Sequence, residues 1–144
     1  MPNSDTLDDA LPPLLDAFYA RVREDDLIGP VFNDAIHDWP HHLARIGDFW
    51  SSVMLSSGRY KGNPVARHLP HAARLTPAAF ERWLQIWRQT TDEHVPGPLA
   101  HALQAKAERI GESLQLALQF PSPAQQVEIE RSRHRRKDDS PYGE

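Results

Sequence analysis

Apolar residues along this chain recur at spacings of three and four, and no window sustains the period-two alternation of a half-buried strand. The pattern predicts an all-α protein. A short lead-in over residues 4 to 10 precedes Pro12-Pro13, which open a helix because its first turn needs no N–H from them. That helix carries Leu14, Leu15, Phe18 and Val22 on one face, with Tyr19 at the edge of the stripe, and is expected to stop near Gly29-Pro30. Asp38 caps a second helix with Pro40 in its first turn, running to about Ser57 and ended by Gly58. An irregular segment from Gly58 to Pro64 leads to about one turn of helix from Val65 to Leu69. Thr76-Pro77 starts a helix with Phe80, Trp83, Leu84, Trp87 and Thr91 on one face. Gly97-Pro98 separates it from a last helix striped by Leu99, Leu103, Ala107, Ile110, Leu114 and Leu118. Beyond Phe120 the stripe ends. One domain over residues 1–120 is therefore expected, with residues 121–144 a disordered polar tail.

Two histidines break this pattern. His42 falls in line with Ile46, Phe49 and Val53, where an imidazole needs a hydrogen-bond partner, a metal or a ligand. His68 stands in the stub between Pro64 and Pro70, too short to be a stable helix unaided. A metal–imidazole bond would hold that stub, with the other ring nitrogen donating to a backbone carbonyl; a water-exposed loop histidine is the plain alternative. Rings approaching from two elements suggest a flat, iron-bearing cofactor between them. His71 is a rival, set back by following Pro70, where the helix is expected to break.

Tyr19 and Trp83 each pair a large apolar body with one polar donor, and with His42 they can place three donors around one point. Each alone is equally at home in a core. Arg45 flanks Phe49, where it can meet a ligand carboxylate or simply water. His37 and His41 have metal-ligand spacing but no matching carboxylate or cysteine partners. The basic run Arg131 to Lys137 reads as part of a solvated tail.

Composition narrows the field. The 144 residues suffice for one domain with a real core. A formal charge of −4 argues against a nucleic-acid or membrane-surface role for the whole domain. With no cysteine in the chain, disulfides, thiolate ligands and cysteine nucleophiles are excluded. No apolar run approaches the ~18 residues a membrane span requires, and the acidic N-terminus is unlike a signal peptide, so a cytoplasmic protein is expected. Phosphate-loop, nucleophile-elbow and paired-histidine protease motifs are absent.

In order, the chain presents Phe18-Tyr19, Leu27-Ile28-Gly29-Pro30-Val31-Phe32, Trp39-x-x-His42 and Asp48-Phe49-Trp50-Ser51-Ser52. Gly58-Arg59-Tyr60-x-Gly62-x-Pro64, His68 and Phe80-x-x-Trp83-Leu84 follow. This succession, over roughly residues 10 to 119, resembles the truncated haemoglobins, most closely their third group. The groups with paired-glycine motifs match less well, since the chain has no Gly-Gly pair.

The resemblance implies a globin-like two-over-two helical sandwich around b-type haem. It implies His68 as the iron ligand, Tyr19, His42 and Trp83 on the distal side, and Phe32 and Phe49 against the porphyrin. Arg45, Tyr60 and Arg67 become candidates for propionate contacts. It also implies binding of O2, NO and CO at a five-coordinate iron, with nitric oxide dioxygenation or peroxide chemistry as possible activities. Nothing here resembles a flavin or nicotinamide domain, so electrons would come from an external reductase. Two other readings stay open: a haem-free helical interaction module, and a haem-based sensor or carrier.

Overall fold

The computed structural model describes residues 4–119. They form α1 (Ser4–Glu24), α2 (Gly29–Ala35), α3 (Trp39–Leu55), α4 (Pro64–His68), a 3-10 helix (Leu69–Arg74), α5 (Pro77–His94) and α6 (Gly97–Gln119). Among the described residues there is no strand, and no helix is long and apolar enough to cross a membrane. The pair α1/α3 packs on the pair α5/α6 through α1 and α5, giving the two-over-two sandwich. The expected tail, with its basic run, lies outside the described residues.

The core follows the apolar stripes. Leu14, Leu15, Phe18 and Val22 of α1 are buried with Trp50 of α3, Trp87 of α5 and Leu99, Leu103 and Ala107 of α6. Trp87 has no exposed surface, stacks on Trp50 with ring centroids 4.7 Å apart, and meets the edge of Phe18 at 4.8 Å. Its indole Nε1 donates to the Leu103 carbonyl at 3.2 Å, so this large ring is buried without an unpaired donor.

Four local expectations are corrected. First, α1 does not begin at Pro12-Pro13; it starts at Ser4 and carries both prolines inside. An interior proline costs about 3 kcal/mol. Leu7 and Leu11, at 0% and 3% exposure, extend the stripe backwards and offset that cost, burial of a leucine being worth roughly 1.5–3 kcal/mol.

Second, α1 ends at Glu24, and Gly29-Pro30 opens α2 instead of closing α1. The Asp25 carboxylate makes the corner: its Oδ2 accepts from the backbone N–H of Leu27 and Ile28, both at 3.0 Å, while Oδ1 accepts from Arg82 of α5 at 3.1 Å. Gly29 permits the tight approach, since a Cβ there would lie 2.8 Å from the Arg23 carbonyl oxygen.

Third, α3 ends at Leu55, with Ser56 in the left-handed conformation (φ 57°), a little short of the expected Ser57-Gly58 stop. Fourth, α4 does end before Pro70, at His68, but the chain then continues as a 3-10 helix instead of leaving helical geometry. Proline is tolerated in a first turn, and the 3-10 helix runs through it to Arg74. The other starts hold as read. Asp38 accepts from the His41 N–H at 3.1 Å, and Thr76 accepts from the Ala79 N–H at 3.2 Å.

Candidate functional site

A largely apolar cavity opens between the helix pairs. Tyr19 of α1 reaches it, and Ile28, Val31, Phe32 and Ile36 line it from α2 and its ends. His42, Arg45, Ile46, Phe49 and Trp50 enter from α3, Tyr60 from the loop beyond, and Pro64, Arg67, His68 and His71 from α4 and the 3-10 helix. Ala79, Phe80 and Trp83 of α5 and Ile110, Gly111 and Leu114 of α6 complete the wall.

All nine residues named in advance as site candidates stand on this wall: Tyr19, Phe32, His42, Arg45, Phe49, Tyr60, Arg67, His68 and Trp83. His71, weighed as a rival to His68 and set back for following Pro70, is also brought to the cavity, by the 3-10 helix. Its spacing of three from His68 was the available signal. Of the α2 wall only Phe32 was anticipated, because Gly29-Pro30 reads as easily as a stop as a start. His37 and His41 are exposed, and among the described residues no group of three potential ligands is arranged to hold a metal ion directly.

His68 is held locally. Asn63 caps α4 by accepting from the Ala66 N–H at 3.2 Å, and Pro64 occupies its first turn. His68 Nδ1 lies 2.5 Å from the Pro64 carbonyl oxygen. A carbonyl only accepts, so Nδ1 carries the proton, and when the ring is neutral its lone pair is on Nε2. This is the tautomer that ligation through Nε2 requires.

His42 is the opposite case. It is 6% exposed, and neither ring nitrogen has a hydrogen-bond partner. Burial foremost, then the charges of His68, His41 and Arg45, lowers its pKa from 6.5 to about 4, so the ring is neutral at pH 7. Burial likewise pushes the Tyr19 hydroxyl well above its ordinary range, keeping it a protonated donor. Arg45 lies 5.5 Å from the Tyr60 ring centroid, with its Nε buried and unpaired. The Tyr60 N–H is tied to the Ser52 hydroxyl at 2.8 Å, and its ring meets the edge of Phe49 at 5.3 Å.

Buried polar atoms without partners are costly and point to a missing one. Unsatisfied nitrogens on His42 and Arg45, with the His68 imidazole on the wall and sides of Phe, Trp, Ile and Val, suit a flat apolar macrocycle with a metal centre and peripheral carboxylates. The residues present fit a haem.

No family model matches the chain. It is 30% identical over 111 residues to the group 3 truncated hemoglobin ctb of Campylobacter jejuni, a match covering 74% of this chain and 87% of that protein. The crystal structure of a group III truncated hemoglobin from Campylobacter jejuni superposes with a TM-score of 0.67 at 30% identity. That alignment covers 82% of this chain and 92% of the other. Helix order, cavity and both comparisons agree: the chain belongs to the group III truncated haemoglobins, and its role is globin-type binding of haem and a small ligand.

Proposed function

We propose that the cavity holds haem b through Nε2 of His68 and leaves the distal iron position of a five-coordinate centre to O2, NO or CO. The observation that carries this reading is the hydrogen bond from His68 Nδ1 to the Pro64 carbonyl, which leaves the ligating lone pair on a residue of the cavity wall. Haem, when bound, supplies a redox-active iron with an open coordination position.

The chain's own residues decide what is retained there. Tyr19 and Trp83 bring one O–H and one N–H to the cavity, and a neutral His42 brings a third polar group. A hydrogen bond to a charged acceptor contributes roughly 1.5–3 kcal/mol. Such donors favour ligands whose outer atom is an acceptor over the less polar CO. Phe32 and Phe49 cover the apolar faces of the macrocycle. Arg45, Tyr60 and Arg67 are placed at the same cavity to meet its carboxylates.

Strong retention suits chemistry more than delivery. The reaction classes that fit are oxidation of nitric oxide by dioxygen to nitrate, or reduction of peroxide, with electrons from a separate reductase. Titration with hemin tests the core of the proposal: one equivalent taken up, with a sharp visible spectrum that shifts under CO, is expected. A chain that remains colourless after desalting refutes it.

A further inference from the structure

The His42 ring is held in its cavity without a single hydrogen bond. What surrounds it is aromatic. Tyr19 meets it at 5.3 Å between centroids and 85° between planes, and Trp39 does so at 5.4 Å and 86°. Trp39 and Tyr19 also touch each other at 5.6 Å, so the three rings form a closed triangle. Tyr19 lines the cavity and Trp39 does not.

Trp39 is in turn fixed from outside. It is the first residue of α3, with Asp38 as the cap and Pro40 in the first turn. Above its ring lies the Arg23 guanidinium, 4.5 Å from the centroid. Arg23 is itself steadied by Asn33, whose Oδ1 accepts from Arg23 Nε at 3.3 Å and whose Nδ2 donates to the Arg23 carbonyl at 3.1 Å. The order from solvent inwards is a cation, an indole, an imidazole and then the cavity.

We infer that Trp39 is a positioning residue for the ligand site: edge contact with its indole, clamped beneath Arg23, fixes the orientation of the His42 ring. The inference rests on the proposed distal role of His42 and adds what sets it. Edge-to-face pairs contribute about 0.5–1.5 kcal/mol beyond their burial. That preference is not opposed by any competing hydrogen bond at His42. Removing the indole leaves Tyr19 as the other ring in contact, and the imidazole gains room to rotate.

The test uses the full-length chain, both haem-free and as the CO complex. In each, 13C relaxation of the His42 ring reads its order, and in the CO complex the C–O stretching band reads the distal environment. Wild type and Trp39→Phe are expected to show an ordered His42 ring and one narrow C–O band. Trp39→Leu, which keeps bulk, and Trp39→Ala are expected to lose ring order and to split the band, the new component lying where His42→Leu places it. Equal ring order in wild type and Trp39→Leu overturns the inference, whatever the hemin result. A chain that binds no hemin, or a His42→Leu band that does not move, overturns only the distal reading, and ring order in the haem-free protein still decides the role of Trp39. Retention of order by Trp39→Phe separates an aromatic contact from loss of packing alone.

Discussion

The Nδ1–H of His68 donates to the Pro64 carbonyl at 2.5 Å, within a helix only five residues long. One bond thus fixes both the tautomer and the direction of the ring. On the proposed ligation, His68→Gly loses the anchor itself. Loss of a supporting outer partner costs roughly 10–100-fold in metal affinity, and loss of the ligand should exceed that. Hemin transfer to apomyoglobin measures it, and added imidazole should restore part of the spectrum in the glycine variant.

Tyr19 and Trp83 share the cavity wall with His42, and both bring a donor. Tyr19→Phe and Trp83→Phe should each speed O2 dissociation by about tenfold to a hundredfold, since about 1.4 kcal/mol corresponds to a decade. CO dissociation should change far less. Stopped-flow ligand replacement reads both rates, and unchanged O2 dissociation in both variants would remove the case for distal donors.

His42 gives the haem-free protein a defined acid sensitivity. Its folded pKa is about 4 against an ordinary 6.5. As pH falls through 6.5 the unfolded chain takes up a proton that the folded chain refuses until about 4. Stability from this group is therefore complete above 6.5 and declines between 6.5 and 4, at up to about 1.4 kcal/mol per pH unit. Urea melts across this range should show the slope, and His42→Leu should flatten it.

Two buried glycines should respond with opposite signs. A methyl group at Gly29 would press on the carbonyl oxygens of Arg23 and Val22, at 2.8 and 3.1 Å, so Gly29→Ala should destabilise by about 1–3 kcal/mol. At Gly111 the nearest atoms are Leu84 Cδ1 and Phe80 Cδ1, both at 3.9 Å, an ordinary contact. Gly111→Ala should therefore stabilise α6 by roughly 0.5–1 kcal/mol. Denaturant unfolding of the haem-free protein distinguishes the two.

Gly62 sits where the Tyr60 hydroxyl and an Arg45 guanidinium nitrogen would lie 2.5 and 2.8 Å from an added Cβ. Both are ends of side chains that can move, so Gly62→Ala should displace them with little change in the unfolding midpoint. Hemin retention should fall if those two groups meet the carboxylates, and stay constant if they do not.

The helix stripes and caps were legible because each is a local pattern: Thr76 before Pro77, Asp38 before Pro40, and leucines one turn apart. What escaped depended on partners distant in sequence. The start of α1 hinges on Leu7 and Leu11 finding the core, which offsets much of the cost of two interior prolines. The α1–α2 corner hinges on Asp25 reaching both its own loop and Arg82. Seven of the nine site candidates belong to the succession of motifs, which carries spacing as well as residue type, and Arg45 and Arg67 reach the same wall beside them. The place of His71 on that wall and the helical form of Gly29–Ala35 needed the fold to be seen.

Helix α4 buries none of its residues, while the aromatic slab of Phe18, Trp50 and Trp87 is almost sealed from water. The molecule thus keeps its sturdiest masonry away from the hand that would grip the iron. On the proposed ligation, metal capture doubles as the final fastening of that hand, and hydrogen exchange should slow most along Pro64–His68 when the pigment goes in.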